Sequence, residues 1–325
     1  MNDRSPWTAP WTAPRTHEPV ADQEVLGTKK GLLAWLEYAL ARTLAGTAAA
    51  LPRRLREALI EALAALLCVL DRAHSRAAEE YLTQALGSLP ASERRARVRQ
   101  AWRHLLRLTL DAERFSREVS PQSYPQRTRV EMCAGAEAIA RAGRPCVIIS
   151  AHVGDWENGV ALLPHLGFSP LYAISKPPKN HYLALHAQRL RKSRGIRLLP
   201  RRGAMEFVPA VIRGGGSVAM LLDQRARVKP VFAPWFGRLA SADRSAGVLL
   251  RRLKVPLVIA AVYQEPEPFH YRAVFPCVIE PEELSGASPE EVAARLHREL
   301  EQLIRACPEQ YFWLHDRYRG APPEG

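Results

Sequence analysis

The sequence predicts an α/β fold behind a helical N-terminal region, on three observations. Past Pro121, short β-branched runs alternate with stretches of helical period, the pattern of strands interleaved with helices. Between Leu32 and Phe115 apolar residues recur with helical spacing and strand signals are missing. The chain has 325 residues, 47% of them hydrophobic and 24% charged, enough for one large domain with an appendage.

The elements follow in order. Residues 1–28 open with Trp-Thr-Ala-Pro twice, at Trp7 to Pro10 and Trp11 to Pro14; this Pro-rich stretch has no periodicity and is expected to be disordered to about Thr28. It is not read as a signal peptide, because no apolar core follows a basic start. Residues 29–120 read as helices over Leu32 to Leu51, Leu55 to Leu70, His74 to Leu86 and Ala91 to Phe115. Glu37 and Arg42 interrupt the first of these, so it lacks the clean apolar length of a spanning helix. The second ends in Leu66-Leu67-Cys68-Val69-Leu70 behind Arg53, Arg54 and Arg56, a composition suited to lying in an anionic membrane interface or to packing on the protein body. Residues 121–325 form the α/β part. Strands are expected at Cys146 to Ala151, Leu171 to Ile174, Val218 to Leu222, Leu257 to Tyr263 and Tyr271 to Val278. Helices are expected near Ala161 and over Tyr182 to Arg194, Met205 to Ile212, Ala246 to Leu253 and Glu290 to Ala306.

The most informative segment is Val147 to Gly159. Its β-branched run reads as a buried strand, and Gly154-Asp155 followed by Trp156 reads as a turn into a helix. His152 then stands at the carboxyl end of a strand, where open α/β sheets bind ligands. Glu157 follows five residues later, a spacing that one continuous helix would splay, since a turn takes 3.6 residues. A bend at Gly154 lets the two side chains meet. A carboxylate on one ring nitrogen fixes the tautomer and leaves the other nitrogen to take a proton from an attacking hydroxyl.

Charge and cysteine usage narrow the partners. The formal net charge of +13 implies anionic partners: phosphates, an acidic carrier protein, anionic lipid or nucleic acid. No helix-turn-helix, zinc-finger or aromatic RNA-binding signature appears and the basic residues are spread along the chain, so nucleic acid is set aside. Cys68, Cys133, Cys146, Cys277 and Cys307 show no metal or redox spacing and suit a reducing cytoplasm; His181 and His186 miss helical zinc-ligand spacing by one position. No metal and no cofactor is expected. Gly215-Gly216-Ser217-Val218-Ala219 falls short of a serine-hydrolase elbow, because Ser217 precedes an apolar run where the elbow needs it to follow one.

Four segments together resemble the late, lauroyl- or myristoyl-type acyltransferases of lipid A biosynthesis, within the lysophospholipid acyltransferase superfamily. They are His152 to Glu157 with a Gly and a Trp between; Lys176 and Asn180 followed by Arg191 and Gly195; Leu222-Asp223-Gln224 leading to Pro234-Trp235-Phe236-Gly237; and Pro308 to Arg319. The resemblance runs from about Glu37 to the end of the chain. It implies a mixed sheet flanked by helices, with residues 29–120 associating with the membrane and residues 121–325 forming the catalytic core. The implied enzyme sits on the cytoplasmic face of the inner membrane, peripheral or monotopic. It moves a fatty acyl chain from acyl carrier protein to a hydroxyl of a phosphorylated glycolipid, or of another glycolipid or lysophospholipid. On this resemblance His152 is the general base and Glu157 its orienting partner. Arg191 is a candidate for the oxyanion or for a phosphate, and Lys176, Asn180, Asp223, Gln224, Phe236 and Gly237 are candidates for holding substrate, the last pair by shaping an acyl groove. Each has a plainer alternative: Arg191 on a solvated helix face, Asp223 as a cap, Phe236 in the core; Tyr311 and Trp313 are expected to pack. The chain departs from the family pattern at Asp155, where Asn is usual, and at Asp316, where a basic residue is usual.

Overall fold

A computed structural model describes residues 5–6, 12–13 and 15–322. After a short strand β1 (Ser5–Pro6) come four helices, α1 (Leu32–Ala50), α2 (Arg53–Leu70), α3 (Arg72–Leu86) and the long α4 (Ala91–Glu118). The α/β part follows: α5 (Tyr124–Arg127), β2 (Thr128–Met132), α6 (Ala134–Ala142), β3 (Val147–Ser150), β4 (Leu171–Ser175), α7 (His181–Ser193), β5 (Ile196–Pro200), α8 (Ala204–Arg213), β6 (Ser217–Leu221), β7 (Val231–Trp235), β8 (Arg238–Ala242), α9 (Ser245–Leu253), β9 (Leu257–Gln264), β10 (Tyr271–Ile279) and α10 (Pro289–Ala306).

The main sheet has the strand order β1-β2-β10-β9-β3-β6-β4-β5. From β9 to β5 every neighbour is parallel, whereas β10 runs antiparallel to β9, so the sheet is mixed as the resemblance implies. The five expected strands are present with ends shifted by a residue at most. At the centre, Val147 and Ile149 of β3 face one apolar cluster and Ile148 the other, and all three are buried. Both faces of the sheet are therefore covered, which is why this strand reads as a continuous apolar run rather than an alternating one.

Two expectations change. The stretch after Asp155 forms a 3₁₀ helix over Gly159–Leu166 rather than an α-helix, with Pro164 inside it; the ring removes a backbone donor that an α-helix would use. The expected disorder to Thr28 does not describe residues 15–28. The Trp-Thr-Ala-Pro repeat lies largely outside the described residues, but from Arg15 the chain runs along the edge strand β5. The Gln23 N–H donates to the Leu198 carbonyl (3.2 Å), and the Leu198 N–H donates to Asp22 Oδ1 (2.8 Å). Val25 is buried and donates its N–H to Gln188 Oε1 (3.1 Å). An edge strand offers unpaired backbone groups, and those partners order a segment whose composition alone would not.

The helices before the sheet gather on α4. Arg103 and Arg107 of α4 pair with Glu57 and Glu61 of α2 across the helix contact. The inward face of α1 is small, with Ala34, Ala48 and Ala49 buried. Its leucines point out: Leu32 is 73% exposed, Leu40 61% and Leu44 60%, a degree of exposure unlike any core helix here. On α2, Leu55, Leu66, Val69 and Leu70 are exposed as well. No helix among the described residues is long and apolar enough to cross a membrane.

Candidate active site

Strand register builds the site. β3 and β6 pair in parallel with Ser150 opposite Leu221, so the second residue beyond each, His152 and Asp223, arrives at the same place on the carboxyl edge of the sheet. Asp223 is buried, at 2% exposure, and grips His152 twice. Its Oδ1 lies 2.7 Å from His152 Nδ1, and its Oδ2 accepts the His152 backbone N–H at 3.0 Å. An ionised carboxylate only accepts, so Nδ1 carries the ring proton and Nε2 presents its lone pair. Burial by itself would raise the Asp223 carboxyl. The charge and hydrogen bond of His152, with the backbone donors, instead hold it below the usual carboxylate range.

The carboxylate on the His152 ring is thus Asp223, not Glu157 as the motif suggests. Glu157 faces α7: its two oxygens accept from Arg191 Nε (3.0 Å) and Nη2 (2.7 Å) in a bidentate pair, while Arg191 Nη1 donates to Ser175 Oγ (3.1 Å) at the end of β4. Arg191 is therefore not on a solvated face; it ties the turn after β3 to the end of β4.

The turn itself is fixed from below. Gly154 has φ +67°, and a Cβ there would fall 2.1 Å from the Val262 carbonyl oxygen, so both conformation and space require glycine. The Asp155 N–H donates to that carbonyl at 2.6 Å. The Asp155 side chain, fully buried, accepts from the Asn158 backbone N–H (2.9 Å), Asn158 Nδ2 (3.0 Å) and Gln264 Nε2 (3.2 Å). Burial pushes its carboxyl up, against those donors, with Glu157 a smaller contributor. Asp111 on α4, also pushed up by burial and by Asp155, reaches about 6. From α4 as well, His104 Nε2 bonds the Gly154 carbonyl at 2.9 Å, and burial lowers it to about 4, which keeps the ring neutral.

The C-terminal segment forms the facing wall. Gly154 N–H donates to the Gln310 carbonyl (2.9 Å), and Phe312 N–H donates to the His152 carbonyl (3.0 Å). The rings of Trp156 and Phe312 flank the imidazole with centroids 5.5 and 6.1 Å away. Tyr311 and Trp313 pack as expected, within a buried cluster with Tyr81 and Phe236. His315, lowered to about 4 chiefly by burial, accepts the Arg225 N–H at 3.1 Å. Arg317, only 1% exposed, donates to the Ser241 carbonyl (2.6 Å) and stacks over Trp235.

The remaining sequence candidates divide. Gln224 stands against the imidazole, its Nε2 3.3 Å from His152 Nε2. Lys176 is exposed just past β4, at the same edge of the sheet. Asn180 caps α7, accepting from the N–H groups of Tyr182 and Leu183, and its Nδ2 donates to the Ala34 carbonyl of α1. Its side chain is occupied in joining two helices. Phe236 and Gly237, expected to shape a groove, make the two-residue turn between β7 and β8 with φ of +48° and +83°, the geometry of a type I′ hairpin. The Phe236 ring is buried, so its place is the core. Ser217 opens β6 at the opposite edge from His152, buried, its Oγ accepting the Cys146 N–H at 3.3 Å; that position keeps it away from the His152 imidazole. Among the described residues no cluster of three or more His, Cys, Asp and Glu is placed to hold a metal. Missed from the sequence were Ser175, His104 and His315, whose roles depend on elements far away in the chain.

A mixed α/β sheet carrying an imidazole and its buried carboxylate at the strands' carboxyl ends, in front of a helical N-terminal region, defines an acyltransferase-type architecture once the sequence match is added. The family model for bacterial lipid A biosynthesis acyltransferases matches residues 21–320, and the chain belongs to that family. No curated protein matches the chain in sequence. Family membership makes the protein an acyltransferase, with an acyl donor and a glycolipid acceptor.

Proposed function

We propose that the enzyme transfers a fatty acyl chain from the thioester of acyl carrier protein to a hydroxyl of a phosphorylated glycolipid such as a lipid A precursor. His152 acts as general base. The observation that carries this reading is the double grip of Asp223 on His152, which leaves Nε2 as the proton acceptor. Asp223 orients the ring and stabilises the imidazolium that forms. As the alcohol oxygen adds to the thioester carbon its proton passes to Nε2, and the imidazolium then protonates the departing thiolate. The acyl chain moves in one displacement, without an acyl-enzyme. Glu157 and Arg191 act as a clamp that holds the His152 turn against the end of β4. Lys176, Arg201, Arg202, Arg227 and Lys229 are all exposed on loops leaving this edge of the sheet, and their charge suits the acceptor's phosphates and an acidic carrier.

The same reading assigns a membrane role to α1. Leu32, Leu36, Leu40 and Leu44 recur every four residues on one exposed face, beside Lys29 and Lys30. Such a helix lies in the headgroup region of an anionic leaflet, here the cytoplasmic face of the inner membrane, making the enzyme peripheral or monotopic. Leu36→Glu with Leu40→Glu is expected to reduce sedimentation with anionic vesicles by tenfold or about that, from two lost apolar anchors; undiminished binding would remove α1 from the interface.

The test of the activity is lipid mass spectrometry in a deletion strain complemented with the wild type or with His152→Ala. The wild type should restore one ester-linked acyl chain on a phosphorylated glycolipid and the variant should not. A chain restored by His152→Ala would refute the base. A missing chain on a different glycolipid or a phospholipid would replace the acceptor.

A further inference from the structure

Three consecutive residues after β6 are each committed to a histidine. Asp223 holds His152 Nδ1, Gln224 Nε2 stands 3.3 Å from His152 Nε2, and the Arg225 N–H donates to His315 Nε2 at 3.1 Å. Because Asp223 forces the proton onto Nδ1, the contact at Nε2 has a definite sense: the Gln224 amide donates and the imidazole lone pair accepts. The atom that must take a proton from the alcohol is therefore already covered. The imidazole is not sealed off, since its side chain is 18% exposed, and water can reach it.

We infer that Gln224 masks the base against water and so sets the preference for transfer over hydrolysis. The inference rests on His152 being the base of acyl transfer. Water and alcohol undergo parallel reactions here. In both, an oxygen bonds to the acyl carbon, its proton goes to Nε2, the carbon–sulfur bond breaks and the thiolate leaves with the proton returned from the imidazolium. Water yields a free fatty acid, whereas the alcohol yields the ester. To reach Nε2 either must displace the Gln224 amide. A water molecule competes with the strength of a hydrogen bond alone. An alcohol held by the rest of a glycolipid brings binding energy from remote contacts, and so displaces the amide readily. The position of Gln224 is itself supported: the neutral His315 anchors the next backbone N–H, and Asp223 is fixed by its grip on His152.

The test uses the full chain, a lauroyl thioester of acyl carrier protein as donor, and a phosphorylated lipid A precursor as acceptor. Thiol release is measured without acceptor, and ester formation with it. Gln224→Ala should raise hydrolysis relative to transfer by about two- to tenfold, the weight of one hydrogen bond. Gln224→Asn, too short to reach Nε2, should do the same, and covers the case in which the alanine variant fails to fold. Gln224→Glu puts a carboxylate on Nε2, opposite Asp223 on Nδ1 and between the Trp156 and Phe312 rings, with His315 behind; the acid-side limb of its pH–rate profile should move to higher pH. A ratio of hydrolysis to transfer unchanged in folded Gln224→Ala or Gln224→Asn would overturn the masking role. Transfer retained in His152→Ala would instead overturn the reading on which it rests.

Discussion

Asp223 at the end of β6 and Asp155 in the turn after β3 are both buried at the same edge of the sheet, yet their acidities move in opposite directions. Desolvation raises both. Asp223 has an imidazole on one oxygen and a backbone N–H on the other, and ends below the usual range. Asp155 accepts from the neutral groups of Asn158 and Gln264, and for it burial outweighs those donors, so it ends above. Burial alone does not lower a carboxylate; for Asp223 the imidazole on one oxygen and the backbone donors outweigh it. On the proposed mechanism one acid orients the base, and the other braces the turn that carries it.

Removing the imidazole should make the two alike, with the largest effect of all. His152→Ala is expected to lose about 10²- to 10⁴-fold in rate, the usual weight of a general base. It also strands the Asp223 charge, at a cost of about 3 kcal/mol at neutral pH, readable in denaturant melts. The lowered carboxyl of Asp223 contributes stability present above its unfolded value and lost as pH falls through the folded one, so the deficit of His152→Ala should shrink in acid. A deficit that is constant with pH would mean that the pair does not stabilise the fold.

A smaller effect sharpens the other half of the comparison. Asp111, near Asp155, is raised from 3.8 to about 6. A raised acid takes up its proton more readily when folded, so stability is highest below the unfolded value and falls as pH rises to about 6. Asp111→Asn removes that fall. It should melt like the wild type near pH 4 and be more stable at pH 7 by about 1–3 kcal/mol, with Arg107, Arg56 and Arg114 offsetting part of the gain. An equal or lower stability at pH 7 would show that those arginines outweigh burial.

Much of this architecture was legible in the sequence, and the lapses have physical causes. The buried strands β3, β4, β6, β9 and β10 announce themselves as apolar runs. β2, Thr128–Met132, alternates Arg129 and Glu131 with buried positions, so it lacks the apolar run that marks the others. β7 and β8 hide behind Pro234 and the Phe236-Gly237 turn, which read as a groove because nothing local says that the ring points into the core. His152 was recognisable from its strand end. Its carboxylate partner was not, because Asp223 lies 71 residues away and meets it only through the parallel register of β3 and β6. Glu157 was the nearer acid in sequence, but Arg191, arriving from α7, takes both its oxygens. A helix face rich in arginine gives no local sign that one of them turns inward.

In the proposed mechanism Asp223, rather than Glu157, orients the base, and paired kinetics of Asp223→Asn and Glu157→Gln separate the two. Asp223→Asn should lower kcat/KM by about 10²-fold or more with KM nearly unchanged, since an interaction of the transition state is lost. Glu157→Gln should cost about tenfold, the weight of a partly exposed charge-assisted pair. A Glu157→Gln loss equal to or greater than that of Asp223→Asn would contradict the account.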